Sequence, residues 1–471
     1  MKKYGWLTLM LAFGLAACLP GPKYTPRTPD ELKVPAAWHA ALPEKTAGGD
    51  LSTWWRQLDD PLLSELIEQA LQASPTMDLA WAKVREARAQ RRLSVANFFP
   101  TVSASGSASR SKSGDDPAST NYQGSIDASW EPDVIGGQRR ALQASTAQLA
   151  ATVAGLHDSQ VSLASEVALN YVDVRALQGR IAIARENLAL QTETREIAGW
   201  RYQAGLVSGL DYDQARATEA QTRAQIPSLE TSLAEARNRI AVLLGFAPGS
   251  LDEKLAAAAP IPVVPESVTT VIPADILRQR PDVRAAEKTL VAQTALIGEA
   301  AAARYPSLSL SGSLGTAGKT LDALSPVRSL VLSVAQTIFD AGRIRRQVQI
   351  QTAAQEQALA TYESTVLTAL EDVENALVSL GRSRERYEFL KTAEEAARSA
   401  AQFARQRYAA GLVDYTSVAS TQQTQLTASD SLKSCEGDIT TALIQLYKAF
   451  GGGWTAAETA AGAAPGEGKI R

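Results

Sequence analysis

The feature that most constrains this chain is an internal duplication with a constant offset of 206 residues. "RYQAGLV" occupies 201–207 and "RYAAGLV" occupies 407–413. The same offset relates "FFPTVSASGS" (98–107) to "RYPSLSLSGS" (304–313), and "IGGQRR" to "AGRIRR", without gaps. Low-complexity Ala and Ser could match by accident, but aligned Gly, Pro, Arg and Tyr could not. So long a period predicts two copies of a large supersecondary unit rather than a short-repeat solenoid.

The N-terminus is predicted to be a targeting signal. Two lysines at positions 2–3 precede an apolar segment at 6–15, and "LAAC" ends at Cys18. This motif resembles the bacterial lipobox, in which the cysteine is acylated and becomes the first mature residue. An ordinary signal peptide or an uncleaved anchor is the alternative. Leu19 follows the cysteine, where an inner-membrane retention signal would usually have Asp, so the outer membrane is the expected location.

Composition excludes several function classes. The net charge is −3 and residues of both signs are dispersed along the chain, so no basic surface for nucleic acid is predicted. Cys435 has no partner for a disulfide and is expected to be a small core residue. His39 and His157 lack neighbouring ligands at metal spacing, so no metal or cofactor is predicted. With only 2 histidines and no visible catalytic set, no enzymatic activity is expected.

Each repeat contains a predicted strand pair, at about 101–130 and about 307–338, and the last of these strands is expected at Leu330–Ile338. Apolar and small polar residues alternate within these segments. After the signal no run of about 18 apolar residues occurs, so strands would have to make any membrane crossing. A half-buried strand in a soluble protein gives the same alternation, so the pattern alone leaves both interpretations open.

Long helices follow each strand pair, at about 137–245 and 343–450, and the "AGLV" turns divide them. Apolar residues between 362 and 390 recur at coiled-coil spacing. Some 65 residues at about 1.5 Å each give a helix of roughly 100 Å. The Pro at position 75 is expected to end a short helix that runs from Trp54 to Ser74.

These elements predict a mixed α and β membrane protein made of two tandem repeats. Each repeat is helix, β-hairpin and long α-hairpin, which gives four strands per chain. Four strands cannot close a barrel, and an open sheet in lipid leaves edge groups unpaired, so several chains must assemble. The predicted segments are a signal at 1–17, a Pro-rich arm at 18–53, repeat 1 at 54–246, a linker at 247–272, repeat 2 at 273–453 and a flexible tail at 454–471.

Five segments resemble the TolC-like outer-membrane factors, in particular the NodT-type lipoproteins of tripartite efflux pumps. They are "CLPGPKY" (18–24), "WEPDVIGGQRR" (130–140), "IPADILRQRPDVRAAE" (272–287), "TIFDAGRIRR" (337–346) and "ALEDVENAL" (369–377). The resemblance implies a homotrimer with a twelve-stranded β-barrel in the outer membrane and a twelve-helix α-barrel in the periplasm. It also implies a periplasmic adaptor protein and an inner-membrane pump, commonly of the resistance–nodulation–division class.

The resemblance further implies a closed gate on the helices that return after the turns. Where efflux relatives often have an aspartate and a basic residue, this chain has Ser420 and Gln423, which puts a strong gate in the second repeat in doubt. Charges at the solvated start of a helix are the alternative interpretation. The gate candidates are Asp211, Asp213, Arg216, Asp414, Tyr415, Ser420 and Gln423.

The two "AGLV" turns are expected to form the periplasmic tip and to contact the adaptor. Gly205 and Gly411 are expected to adopt a positive φ and end the helices. The alternative is that they are helix stops without a docking role. The predicted contact residues are Arg201, Gly205, Leu206, Val207, Arg407, Gly411, Leu412 and Val413.

The sequence therefore predicts an outer-membrane exit duct for small molecules or drugs. A type I protein-secretion duct is the alternative within the same architecture. A structural coiled-coil lipoprotein without a pore is the alternative from another class, and single-channel conductance separates it from a duct. The exported substrate is not predicted, because a passive duct wall need not bind it.

Overall fold

The computed structural model describes residues 19–40, 46–47, 51–265, 268–269 and 272–455. Cys18, the signal segment and most of the tail lie outside the described residues. The helices are α1 (Pro61–Ala73), α2 (Pro75–Ala96), α3 (Gly137–Gln203), α4 (Gly209–Leu243), α5 (Pro273–Gln279), α6 (Pro281–Ala302), α7 (Arg343–Ala409) and α8 (Tyr415–Ala449). The strands are β1 (Thr46–Ala47), β2 (Thr101–Ser111), β3 (Ser119–Trp130), β4 (Val268–Thr269), β5 (Ser307–Gly318) and β6 (Ser325–Ala335). No helix in the described part of the chain has the length and apolarity to cross a membrane.

The duplication seen in the sequence is repeated in the structure at the same offset. Helices α3 and α7 have 67 residues each, and α7 starts 206 residues after α3 (343 − 137). Helices α4 and α8 have 35 residues each, again offset by 206 (415 − 209). The predicted long helices are confirmed, and their bounds agree with the prediction to about two residues.

Both long helices begin at an aspartate that satisfies free backbone N–H groups of the first turn. The Asp133 carboxylate accepts hydrogen bonds from the backbone N–H of Gly136 and Arg139, both at 2.9 Å. At the equivalent start of α7, Asp340 accepts from the backbone of Gly342 and Ile344, both at 2.8 Å. These bonds are local in sequence, so each helix start is determined by its own short segment of the chain.

The predicted single helix from Trp54 to Ser74 is wrong. A 3₁₀ turn covers Trp54–Leu58, and α1 begins only at Pro61. Asp60 caps α1, since its Oδ1 accepts a hydrogen bond from the Leu63 N–H at 2.9 Å. Proline has no N–H to donate, so it suits the first helical position and would break a helix that continued through it.

One compact unit combines residues 82–154 and 283–365 with the described start of the chain up to Thr28. It contains a four-stranded sheet of order β2-β3-β5-β6, in which all neighbours are antiparallel. In the register of the central pair, Ile126 lies opposite Leu314, and Gly312 pairs with Leu330 of β6. Strands β2 and β6 are the two edges of this sheet.

The two faces of the sheet differ in polarity. Ile126, Leu314 and Leu332 are 56%, 61% and 66% exposed on one face. Serines predominate on the other face, which also carries Val327 and Val331 of β6. The hydroxyl oxygens of Ser105 and Ser125 are 3.0 Å apart there. The predicted alternation is therefore confirmed, and the apolar side of the sheet is uncovered within one chain.

The last strand differs from the prediction, which ended the hairpin at about residue 338. Strand β6 covers Ser325–Ala335 and therefore starts before the predicted Leu330. Pro326 is the second residue of β6, and a proline argues against a strand in the middle of a sheet. An edge strand tolerates proline because one row of its N–H groups has no partner in the sheet. Residues 336–342 instead form the loop between β6 and α7, and this loop contains the capping residue Asp340.

The second compact unit combines Pro29–Trp81, Gly155–Asp282 and the chain from Val366 onward. Each unit thus includes parts of both sequence repeats. Within this unit α3 packs closely against α8: a Cβ built on Gly437 would lie 3.4 Å from the Ala176 Cβ. Arg180 also bonds Asp430 through two hydrogen bonds of 2.7 and 3.1 Å. Cys435 is fully buried and forms no disulfide with another described residue, which confirms its predicted place in the core.

The start of the described chain is an extended arm held by specific contacts. In the first unit, Arg140 donates to the carbonyl oxygens of Pro20 and Gly21 at 3.0 and 3.3 Å. The Tyr24 hydroxyl donates to Glu287 at 3.1 Å, and burial together with that carboxylate raises the pKa of Tyr24. Because the hydroxyl stays protonated, it remains a donor at any physiological pH.

Candidate functional site: the paired helix turns

The turn between α3 and α4 has the geometry of a Schellman motif. Gly205 has a φ of +73°, its N–H donates to the Tyr202 carbonyl at 2.9 Å, and the Leu206 N–H donates to the Arg201 carbonyl at 2.8 Å. These two bonds satisfy carbonyl groups that the helix end would leave free. A side chain is strained at such a φ, so glycine at this position follows from the turn itself.

The turn between α7 and α8 has the same geometry. Gly411 has a φ of +75°, and its N–H donates to the Tyr408 carbonyl at 2.9 Å. The Leu412 N–H donates to the Arg407 carbonyl at 2.9 Å. The predicted positive φ of both glycines is confirmed, and the repeated letters encode one backbone structure.

The helices that follow the turns are capped by different side chains. Ser208 accepts from the Asp211 N–H at 3.4 Å, whereas Asp414 accepts from the Ser417 N–H at 3.0 Å. The Ser417 hydroxyl also donates to Asp414 at 2.7 Å, and these bonds lower the pKa of the Asp414 carboxyl. Asp414 is therefore ionised at neutral pH, and its charge is favoured at the N-terminus of α8.

An arginine links the two turns. Nη1 of Arg201 donates to the carbonyl oxygen of Tyr408 at 2.7 Å, and its guanidinium lies 4.8 Å from the centre of the Tyr408 ring. The carbonyl belongs to the last turn of α7, where a positive charge is favoured. Burial raises the pKa of the Tyr408 hydroxyl, an effect that the charge of Arg201 opposes. We call this contact the intrachain clasp.

A small apolar core lies beside the clasp. Tyr408, Tyr415 and Val418 are at most 2% exposed and cluster with Ala198 and Ala215. The rings of Tyr408 and Tyr415 meet edge to face, with 6.0 Å between their centres. Tyr415, a gate candidate from the sequence, is therefore part of this core within a single chain.

The other gate candidates lie on or near the surface of the returning helices. Asp211 is half-buried, and Asp213 forms an ion pair with Arg216 at 3.1 Å in which both side chains are more than half exposed. Such a pair contributes only about 0–1 kcal/mol to stability. Ser420 and Gln423 are exposed on α8. The structure thus places the candidates at the N-cap of α8 and within the first three turns of α4 and α8, but joins only Asp213 and Arg216 to each other.

The turns carry exposed apolar side chains. Leu206 and Leu412 are each 69% exposed, while Val207 and Val413 are half-buried. Trp200 and Leu210, each 65% exposed, extend this surface and were not among the predicted residues. The signal that could have found them is their place within one helical turn of the "AGLV" motif.

Sequence reasoning also missed an ion-pair cluster around Arg280. The Arg280 guanidinium donates to Asp372 at 3.0 Å, to Asp282 at 2.6 Å and to the Ala449 carbonyl at 3.1 Å. Only 10% of the Arg280 side chain is exposed. The cluster joins the start of α6 to α7 and to the end of α8. Asp372 is therefore an ion-pair partner rather than a freely solvated helix charge.

Comparisons with known proteins match almost the whole chain. The family model described as "Outer membrane efflux protein" matches residues 66–246 and 272–452. The chain is 30% identical over 423 residues to nodulation protein T of Rhizobium leguminosarum bv. trifolii, which covers 87% of this chain and 89% of that protein. It is also 30% identical to the pyoverdine export outer membrane protein OpmQ of Pseudomonas aeruginosa, covering 96% of this chain and 97% of that protein.

A solved structure has the same fold. The outer-membrane channel OprN superposes with a TM-score of 0.85 at 34% identity, covering 93% of this chain and 100% of that one. The two matched family segments are offset by 206 residues (272 − 66), as are the helices on either side of the two turns.

Proposed function

Because this chain belongs to the outer membrane efflux protein family and is the outer-membrane exit duct of an efflux pump, we propose that it works as a lipid-anchored homotrimer. It passes small molecules or drugs from a periplasmic adaptor and an inner-membrane pump to the exterior. Three chains contribute four strands each to one β-barrel, and their long helices form the duct below it. The duct is passive, since energy and substrate choice come from the pump.

The observation that carries the proposal is the four-stranded sheet with two free edges. In lipid, each unpaired backbone group at the edges β2 and β6 would cost several kcal/mol. Neighbouring strands alternate in direction and their number is even, so β6 of one chain runs antiparallel to β2 of the next. Antiparallel pairing can therefore continue around a closed barrel of several chains.

The two faces of the sheet fit the two environments of a barrel wall. The exposed apolar side, with Ile126, Leu314 and Leu332, suits contact with lipid. The serine side, with Ser105 and Ser125, suits a water-filled lumen. A coiled-coil lipoprotein without a pore would need neither the strands nor this difference between their faces.

We assign the contact with the adaptor to the exposed apolar residues of the two turns. Leu206 and Leu412 lie at matching positions, so a trimer would present six similar tips. The gate of the closed duct is assigned to the first turns of α4 and α8, which carry Asp211 and Asp414. Rings of carboxylates at this level would narrow the lumen and attract cations.

The assembly is tested by measuring the native mass of detergent-extracted protein and its single-channel conductance in planar bilayers. We expect a trimer that conducts, because only a closed ring of sheets removes the free edges. A monodisperse monomer that conducts would contradict the edge argument. A trimer that conducts neither as extracted nor with Asp211 and Asp414 both replaced by Asn, which removes the charges of the proposed gate, would favour the structural lipoprotein instead.

The lipid anchor is assigned to Cys18. Leu19, the residue bonded to it, packs close to Gly136, and Arg140 holds the next two carbonyl groups. The arm is thus fixed to the unit that carries the strands from Leu19 onward, the residue that follows Cys18 in the chain. This arrangement suits an acyl chain inserted beside the barrel.

Replacing Cys18 with Ser should abolish acylation, because serine lacks the thiol that accepts the lipid. Labelling cells with a radioactive fatty acid measures this directly, with the wild-type chain as the positive control. Label that persists on the Ser variant would refute the lipobox interpretation. Insertion of the barrel is a separate readout, since the strands and not the lipid supply the transmembrane surface.

A further inference from the structure

Because the two repeats are related by an offset of 206 residues, each residue that contacts the other repeat has an equivalent residue in that repeat. The intrachain clasp uses Arg201 of repeat 1 and the Tyr408 carbonyl of repeat 2. Adding 206 to the first number gives Arg407, and subtracting 206 from the second gives Tyr202. Each repeat therefore carries both a donor arginine and an acceptor tyrosine, but one chain forms only one of the two possible clasps.

The two residues that form no clasp within the chain are both exposed. Tyr202 is 49% exposed, whereas its equivalent Tyr408 is 1% exposed. Arg407 is exposed, whereas Arg201 is half-buried against the Tyr408 ring. The backbone around the two tyrosines is the same, but their surroundings differ. Tyr408 meets Arg201 and Tyr415, whereas repeat 1 has Gly209 in place of Tyr415 and the Tyr202 ring stacks on Tyr212.

The glycines of the two turns show the same asymmetry. A Cβ built on Gly411 would lie 3.6 Å from Nη2 of Arg201. No atom of the described residues lies within 4 Å of a Cβ built on Gly205. The space beside Gly205 therefore matches the space that Arg201 fills beside Gly411.

An apolar side chain accompanies each arginine. Ile197 packs against the core of Tyr408, Tyr415 and Val418. Its equivalent at the 206-residue offset is Phe403, which is 62% exposed. The surface that carries Arg407 thus has an apolar group ready to cover the Tyr202 ring, as Ile197 covers the intrachain core.

We propose that Arg407 of one copy donates to the Tyr202 carbonyl of a second copy and forms an interchain clasp, with Phe403 packed beside it. The donor lies on repeat 2 and the acceptor on repeat 1, so the contact runs head to tail and generates a ring. The occupant of the exposed Tyr202 surface is therefore a second copy of this chain. This inference rests on the trimer proposed above and adds to it the residues that tie neighbouring tips together.

As a consequence, the six turns of a trimer form a ring in which intrachain and interchain clasps alternate. Each arginine places its charge at the C-terminal end of a long helix, where the macrodipole favours it. The interchain clasps are the ones that can open without disturbing the core of any single chain.

Paired cysteines test the inference with a matched control. Arg407→Cys with Gly205→Cys places thiols across the proposed interchain clasp, and Arg201→Cys with Gly411→Cys places them across the intrachain clasp. Both double variants make the same two substitutions, 206 residues apart. Full-length protein in outer membranes is treated with a short bismaleimide whose reach matches an arginine side chain. Cys435 is buried, so wild-type protein should give no cross-linked bands.

We expect the first double variant to give dimer and trimer bands on a denaturing gel, and the second to stay at monomer mass. The single variants Arg407→Cys and Gly205→Cys should lose the bands. The native mass of the same samples distinguishes failure of the interchain clasp from failure of the trimer. An intact trimer without cross-linked bands overturns only the interchain clasp, whereas a monomer overturns the trimer as well. A band at the combined mass of this chain and the adaptor would assign the surface to the adaptor and also overturn the clasp.

Discussion

Arg280→Ala is expected to give the largest loss of stability of any single substitution considered for this chain. The side chain is 10% exposed and binds Asp282, Asp372 and the Ala449 carbonyl. Removing it leaves two carboxylates close together without their cation and a helix-end carbonyl without its donor. Breaking a buried pair in this way costs about 3–5 kcal/mol, and the partial exposure of both carboxylates places the expected loss near the lower end.

The measurement is the yield of folded protein in the outer membrane together with the guanidinium midpoint from tryptophan fluorescence. Arg382→Ala is the matched control, because that side chain is 77% exposed and pairs only with Glu385 on the same helix. Its effect should stay within about 0.5 kcal/mol. Asp372→Ala should fall between the two, since Asp372 is 47% exposed and Asp282 would still hold the arginine. Equal midpoints for Arg280→Ala and Arg382→Ala would show that the cluster contributes nothing.

Gly205→Trp and Gly411→Trp are expected to lower export strongly while trimer yield stays near normal. Both positions are at the exposed turns. A Cβ on Gly205 meets no described atom within 4 Å, and one on Gly411 meets only Nη2 of Arg201 at 3.6 Å, the far end of a flexible side chain. The positive φ makes a side chain cost about 1–2 kcal/mol, which a large trimer should tolerate. Losing a central contact of about 2 kcal/mol would weaken adaptor binding roughly thirtyfold.

Gly114→Trp provides the control for backbone strain. Gly114 also has a positive φ, +55°, and no atom of the described chain within 4 Å of its Cβ, but it lies in the loop between β2 and β3. It should leave export unchanged. Leu206→Asp tests docking without altering a glycine or the Arg–Tyr clasps. If export of the turn variants falls only in step with trimer yield, the turns act as helix stops and the docking assignment is wrong.

The family predicted from the five motifs is confirmed by the match over both repeats. Within the fold, the features predicted well are those set by neighbours in sequence. Each Schellman turn needs only six consecutive residues that include a glycine. Helices α3 and α7 need only a proline-free stretch between an aspartate and that glycine. Strand β6 was misplaced because Pro326 is tolerated only at a sheet edge, and the sequence alone does not give the order of strands in a sheet.

The sequence by itself determined the duplication, the two identical turns and the positive φ of their glycines, because each rests on contacts a few residues apart. Only the tertiary structure decided that Arg280 bonds Asp372 and Ala449, which lie 92 and 169 residues away. It also distinguished Arg201 from Arg407, although the letters around them are nearly the same. Within one chain, Arg201 of repeat 1 covers the turn of repeat 2 at Tyr408. The equivalent surface of repeat 1, at Tyr202, has no third repeat to cover it and is left exposed.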